Sequence, residues 1–405
     1  MTTHLISILG LPQKNATSGD RTYRTATYRF QEGAGFSDFT TATFGMALAE
    51  WFGSRATTPM PFDRILWLGT TQSAWGSLLQ SALGDAAVGE EIFDELYSAG
   101  KASPELVVRL AEVLSRATGR RHVCRIVPPC ATSLEQLDFV TLLSGELQPR
   151  DRIVLDLTHG LRNQSLMLAQ SALMLEGAFQ VRIEGMFYGG LEVPREVGEP
   201  APAVDLTGLL LQARLAQSLE AFRQGGDIRI LAEHLPPGGF RNQIQNLGHA
   251  VAVHDFTLAR NLAASTLAAL PVAGVGALEP ALREALESFR ARSLAESQYR
   301  QAEAHLERKD FFRATLELYE GAITDVCNRM GLNPSNASDR LNKANATMRK
   351  LEEEDWKALE FLRNQMAHGV ATDWHGLMQI SQNPQQLESL LRRLLRTIPI
   401  LAAQA

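Results

Sequence analysis

Apolar and polar positions follow two different rhythms along this chain. In the first half, short apolar runs alternate with stretches of helical spacing. Leu5 to Leu9 is a compact apolar run closed by Gly10 and followed by the polar stretch PQKNATSGD. RTYRTATYRF alternates partially and is rich in Thr, Tyr and Arg, as a hairpin strand is. Phe44 to Phe52 has helical spacing, and Arg64 to Leu68 is a strand leading into TTQS. VCRIV at 123–127 predicts another strand, and LEQLDFVTLL a helix after it. RIVLDL at 152–157 is the clearest strand. It runs through Thr158-His159-Gly160 into LRNQSLMLAQSALMLEG, a helix that Gly177 is expected to cap. VRIEGMFYG at 181–189 adds one more strand. Strands alternating with helices predict an α/β, Rossmann-like domain with a mainly parallel sheet covered on both faces.

After Pro202 the texture changes. DLTGLLLQARLAQSLEAFRQGG opens a long run of helical periodicity rich in Ala, Leu, Arg and Glu. Strand signals nearly vanish from there on, and LPPGG and GLNPSN read as inter-helix loops. The expected organisation is an α/β domain over 1–204 and an all-α domain over 205–405. There is no internal repeat.

Composition narrows the partners. The chain has 405 residues, 45% hydrophobic and 21% charged, with a formal net charge of -6, ordinary for a globular protein. No bulk basic surface advertises duplex DNA, so any nucleic acid is expected to be held locally by a few Arg or Lys. Three cysteines without a CxxC pair argue against a disulfide framework or a zinc site of the usual spacing. The opening MTTHLISILGLP reads as a buried strand rather than a signal peptide. No apolar stretch approaches the roughly 20 residues needed to span a bilayer. The expected setting is the cytoplasm, with no membrane partner.

The sharpest chemical signal is EEEDWKALEFLRNQMAHGV. On a helix, Leu359, Leu362, Met366 and Val370 form an apolar stripe with Arg363 at its edge. Asn364 and His368 are four residues apart and share a face nearly opposite. Gly369 is expected to end the helix just after His368. A solvated last-turn histidine is the plain alternative. Yet Arg363 can hold a phosphate and offset charge on its oxygens, His368 can move a proton, and Asn364 can orient the imidazole. One His cannot easily act as both base and acid, so two copies facing each other across a dimer would make a fuller site. RNQMAH resembles the RNxxxH motif of HEPN ribonucleases, matching at Arg363, Asn364 and His368. That resemblance implies a composite, metal-independent RNase site at a homodimer interface. Arg241 and His249 in RNQIQNLGH are spaced too widely for the motif, and Arg162-Asn163 has no following His at suitable distance.

Three segments of the first half are candidate ligand loops at carboxyl ends of strands. They are Gly10 with the turn after it, Thr70-Thr71-Gln72-Ser73 with Trp75, and Asp156 to Asn163. Trp75 is a candidate for stacking on a base, and Gly160 permits a tight strand-to-helix turn that attracts anions. Ordinary turn chemistry, with Thr70, Ser73 and Thr158 as helix caps, is the alternative. Neither GxGxxG nor a Walker loop occurs, so NAD and ATP are not the natural ligands. ISILG, YRTATYRF, WLGTTQS and above all DLTHGLRN resemble the CARF domain of type III CRISPR accessory proteins. The two halves together resemble a CARF–HEPN ribonuclease, which implies activation by cyclic oligoadenylate, a single-stranded RNA substrate and a homodimer or higher homo-oligomer. No cofactor and no metal are implied. The resemblance assigns Gly10, Thr71, Ser73, Thr158, His159, Gly160 and Arg162 to the cyclic ligand. Two other expectations compete: a non-catalytic nucleotide sensor with a helical dimerisation or DNA-binding module, and cleavage of the messenger by the α/β domain itself, assisted by His159 or Thr158.

Overall fold

The computed structural model describes residues 1–14, 21–55, 59–89, 91–98, 101–273, 275–369 and 376–405. Residues 15–20 of the turn after Gly10, and Val370 of the expected apolar stripe, lie outside the described residues. Contacts divide the chain into two compact units, Met1–Ala213 and Arg214–Ala405.

The first unit begins with β1 (Thr3–Leu9), a small pair β2 (Gln13–Lys14) and β3 (Arg21–Thr22), and the hairpin β4 (Ala26–Glu32) and β5 (Gly35–Thr41). Then come α1 (Phe44–Ser54), β6 (Arg64–Gly69), α2 (Trp75–Leu83), α3 (Phe93–Ser98), α4 (Pro104–Thr118), β7 (Arg121–Ile126) and α5 (Ser133–Glu146). β8 (Arg152–Asp156), α6 (Arg162–Phe179), β9 (Arg182–Gly189) and β10 (Ala201–Asp205) complete it, and α7 (Thr207–Gly225) carries the chain into the second unit.

Eight strands form one sheet in the order β5-β4-β10-β9-β8-β1-β6-β7. The five from β9 to β7 run parallel; β10 is antiparallel to β9, and β5 to β4. The chain enters at β1, builds outward through β6 and β7, then returns to the other side of β1 with β8. Strand order therefore reverses between β1 and β8, the place where such sheets bind ligands. Alternation along the strands feeds two cores. Leu5, Leu9, Ile65, Trp67 and Val154 face one layer, Ile6, Ile8, Leu66, Ile153 and Leu155 the other.

Two expectations shift. α6 passes through Gly177 and ends at Phe179, with Gln180 taking the left-handed conformation (φ 56°). Residue 204 falls inside β10, where Val204 pairs with Tyr188 of β9. This strand is only five residues long and contains Pro202, which hid it from a pattern reading.

The second unit is helical among its described residues. After the end of α7 it contains α8 (Arg229–Ala232), α9 (Gly239–Ala252), α10 (Phe256–Ala269), α11 (Glu279–Glu287), α12 (Leu294–Glu307) and α13 (Phe311–Arg329). A π-helical stretch (Asp339–Ala344) leads into α14 (Asn345–Lys350), followed by α15 (Glu354–His368), α16 (Leu377–Gln382) and α17 (Pro384–Gln404). It holds two apolar cores, one around Leu231, Ile244, Leu247 and Leu282, the other around Leu318, Trp356, Leu359, Leu362 and Leu394. Among the described residues no helix is long and apolar enough to cross a membrane.

Candidate functional site

The first candidate lies at the strand-order reversal. Gly10, at the end of β1, is buried against the turn after β8: a Cβ there would lie 1.5 Å from the His159 carbonyl oxygen. Gly160 fits as tightly, since its Cβ would meet the Ile8 side chain at 2.3 Å. Only glycine allows both approaches. The Gly10 carbonyl accepts from the Ala74 amide at 2.9 Å and from the Tyr23 hydroxyl at 2.9 Å. Three loops from β1, β6 and β8 are thereby joined.

The structure divides the expected ligand residues into those turned inward and those turned outward. Ser73 is buried; its hydroxyl donates to the Leu9 carbonyl at 2.7 Å and accepts from the Thr70 amide at 2.8 Å. Trp75 is 2% exposed and donates its indole N–H to the Thr70 carbonyl at 2.9 Å, so it is no platform for a base. Thr158 accepts from the Gly189 amide at 2.8 Å. His159 stacks on Tyr23 at 4.4 Å, and its Nε2 accepts from the Phe44 amide at 3.0 Å. Burial pushes this imidazole down to about 4, so it is neutral at pH 7 with its proton on Nδ1. Thr71 and Arg162 are exposed. Neither Ser73 nor Thr158 supplies a helix cap: the caps of α2 and α6 are Ala74 and Leu161.

Asp156, fully buried under this turn, accepts from Ser7 Oγ at 2.5 Å and from the Thr158 amide at 2.9 Å. Burial raises its carboxyl from 3.8 to about 6, outweighing those hydrogen bonds. An acid with a raised folded pKa stabilises the fold while protonated, and that stability is lost as pH rises from about 4 to about 6. Asp156→Asn keeps an acceptor for Thr158 and cannot ionise. Its stability relative to the natural protein is expected to grow by up to about 3 kcal/mol across this window. The readout is the difference in denaturant unfolding, because half-buried His159, its imidazole pushed down to about 4, contributes the opposite slope, losing stability as pH falls from about 6.5 to 4. A difference independent of pH would refute the raised carboxyl.

The second candidate is the end of α15. Trp356, Leu359 and Leu362 bury one face of this helix, and Gly369 ends it with φ 69°, its amide returning to the Gln365 carbonyl at 2.8 Å. His368 is exposed as the last helical residue. Arg363 is half-buried, its guanidinium 5.4 Å from the centroid of Tyr319, which stacks on Trp356 at 5.0 Å. Arg363 Nη1 donates to Asn364 Oδ1 at 2.9 Å, while Nε has no partner. Asn364 thus turns its carbonyl onto the arginine rather than toward His368. Gln365 donates to Ser381 Oγ at 2.9 Å and fixes the helix end to α16. Tyr319, Trp356 and Gln365 escaped the sequence reading. Tyr319 comes from α13, with no local pattern linking it to the motif. The decoys Arg241 and His249 lie on α9. No group of three or more His, Cys, Asp or Glu among the described residues could hold a metal.

No family model matches the chain. A CRISPR-associated protein of Methanocaldococcus jannaschii, MJ1674, is 24% identical over 251 residues; the match takes in 57% of this chain and 38% of that protein. The chain therefore spans well under two thirds of that relative's length. Among solved structures, Enterococcus italicus Csm6 bound to cyclic hexa-2'-fluoro-hexa-dAMP aligns over 98% of this chain and 94% of its own, at 10% identity and a TM-score of 0.35. In sequence, the chain is similar to a CRISPR-associated protein, in accord with the CRISPR resemblance that its motifs carry.

Proposed function

We propose that the chain is a CRISPR-associated ribonuclease of the CARF–HEPN type, in which the first unit, Met1–Ala213, senses a cyclic oligoadenylate and the second, Arg214–Ala405, cleaves single-stranded RNA. The observation that carries this reading is the end of α15, where exposed His368 follows Arg363 and Asn364 at the motif spacing. In the proposed reaction, His368 of one protomer takes the proton from a ribose 2′-hydroxyl. The 2′-oxygen attacks the adjacent phosphorus, and the bond to the 5′-oxygen breaks. A second His368, from another protomer, protonates that leaving oxygen. The products are a 2′,3′-cyclic phosphate and a 5′-hydroxyl. Arg363, steadied by Tyr319 and Asn364, offsets charge on the phosphate oxygens. A homodimer supplies the two histidines, and the setting is the cytoplasm.

For the sensor, Gly10 and Gly160 bring the backbone together, and Arg162 at the first position of α6 offers charge to a phosphate of the ring. The test is RNA cleavage with and without a panel of cyclic oligoadenylates, in EDTA, repeated with Arg162→Ala. Cleavage is expected to rise with one ring size and to spare DNA. Arg162→Ala should move the activation midpoint upward about 10- to 100-fold with an unchanged plateau, the loss of one charge-assisted contact. An unchanged midpoint removes Arg162 from the site. Binding of the ring without any cleavage would favour the non-catalytic sensor.

A further inference from the structure

Within the second unit, a cavity of about 70 Å³ lies among α7, α9, α10, α12 and α13, and none of its lining residues belongs to α15. It shares Ser288 and Arg308 with the lining of a groove of about 710 Å³, and His254 and Glu317 with the lining of another of about 530 Å³. Gly248 of α9 belongs to its wall, where a Cβ would strike the Arg229 side chain at 2.3 Å.

The lining has a definite chemistry. Phe222, Phe256 and Phe289 supply aromatic walls, with the Phe256 and Phe289 rings 6.5 Å apart and inclined by only 26°. Glu317 is 1% exposed. One of its carboxylate oxygens takes His254 Nδ1 at 2.6 Å, and the other, Oε2, is buried with no partner. His305, also buried, has no hydrogen bond at Nδ1, which lies 3.9 Å from the Asp310 carboxylate. An unpaired buried polar atom costs about 1–3 kcal/mol, more for a charged group. Such an acceptor, kept in an aromatic-walled space, calls for an N–H donor on a flat molecule.

Charge selects the kind of donor. Arg229, Arg308 and Arg313 line the same space as Asp227 and Glu317, and Asp227 is already bound to Arg229. Arg313 is paired in turn with Asp310, which leaves Arg308 and Glu317 as separate positive and negative ends, and a neutral ring linked to an anion satisfies both. Arg308 is half-buried, donating Nε to the Arg223 carbonyl at 3.2 Å, and lines both the cavity and the larger groove. We propose that this cavity binds a nucleotide whose base carries an exocyclic amino group. The amino group donates to Glu317 Oε2, the ring packs on Phe256 and Phe289, and the phosphate lies at Arg308. This proposal does not depend on the ribonuclease reading.

The experiment is isothermal titration of the full chain with AMP, and with UMP, which lacks the amino group. Arg162→Ala serves as a control, because an adenine nucleotide has a second candidate site at the turn after β8. AMP is expected to bind, to lose at least tenfold in affinity in Arg308→Ala and in Glu317→Leu, and to keep this Arg308-dependent binding in Arg162→Ala. UMP is expected to bind at least tenfold more weakly. Glu317→Leu changes a buried position, so its circular dichroism is compared with the natural protein. Arg308→Ala, nearer the surface, decides the matter if the first variant fails to fold. No AMP binding, equal binding of UMP, or binding lost in Arg162→Ala but kept in Arg308→Ala would each overturn the proposal. RNA cleavage plays no part in the readout, so failure here leaves the ribonuclease proposal standing, and the reverse.

Discussion

His368→Ala is expected to lower RNA cleavage by three orders of magnitude or more while leaving the fold and cyclic-oligoadenylate binding intact. The imidazole is exposed at the last position of α15, so truncation should change stability by no more than about 0.5 kcal/mol. Loss of one proton-transfer group costs about 10²–10⁴ in rate, and under the composite arrangement this single change removes both the base and the acid. Mixing sharpens the test. With equal amounts of mutant and natural chains pairing at random, only about a quarter of dimers hold two histidines. Activity should therefore fall toward that fraction rather than toward half. A linear dilution, a fully active monomer or a strict need for a divalent metal would sink the mechanism. Arg363→Ala should be similarly inactive, and Arg363→Lys should not rescue it, because the planar guanidinium over Tyr319 is not reproduced by an ammonium.

Much of this architecture was legible because its signals are local. The three central parallel strands β1, β6 and β8 are apolar runs bounded by turn residues, buried on nearly every position as central strands are. RNQMAH was legible because Arg363, Asn364 and His368 share one helix. What escaped depends on partners distant in sequence. β5, GFSDFTT, is an edge strand with weak alternation, and β10 becomes a strand only by pairing with β9. Side-chain direction in the loops was also hidden. Ser73 and Trp75 were expected to face a ligand, yet Gly69 leaves room for both to fold inward: a Cβ there would meet them at 2.9 and 2.8 Å. His159 was assigned to the ligand on its position in DLTHGLRN. Its ring stacks on Tyr23, a partner more than 130 positions away that no local pattern announces. Gly160 was read for a tight strand-to-helix turn and Gly10 for a loop at a strand end; the close packing of Gly10 on the His159 carbonyl and of Gly160 on Ile8 was not visible in the sequence.

Gly10→Ala should have the largest effect on stability. Its Cβ would sit 1.5 Å from a backbone oxygen and 2.8 Å from the His159 carbonyl carbon, and backbone cannot swing aside as a side chain tip can. Nor can the strands slide, since Ser7 of β1 is in register with Asp156 of β8 and bonded to its carboxylate. The end of β1 must therefore part from the turn. That movement strains the Ala74 and Tyr23 hydrogen bonds to Gly10 and the Tyr23–His159 stack. Overpacking of this kind costs on the order of 3 kcal/mol. Gly177→Ala is the control: this glycine lies inside α6 with nothing within 4 Å of a new Cβ. There alanine should stabilise by about 0.5–1 kcal/mol through helix propensity. Urea unfolding of both variants against the natural protein measures the contrast. If the turn is also the receptor for the cyclic ligand, Gly10→Ala should raise the activation midpoint at least as far as Arg162→Ala does, measured at a temperature where the variant remains folded. Gly10→Ala unfolding at the natural urea midpoint would mean that β1 does not pack on the turn at all. A destabilised variant with a normal activation midpoint would confine Gly10 to holding the sheet together and move the receptor elsewhere.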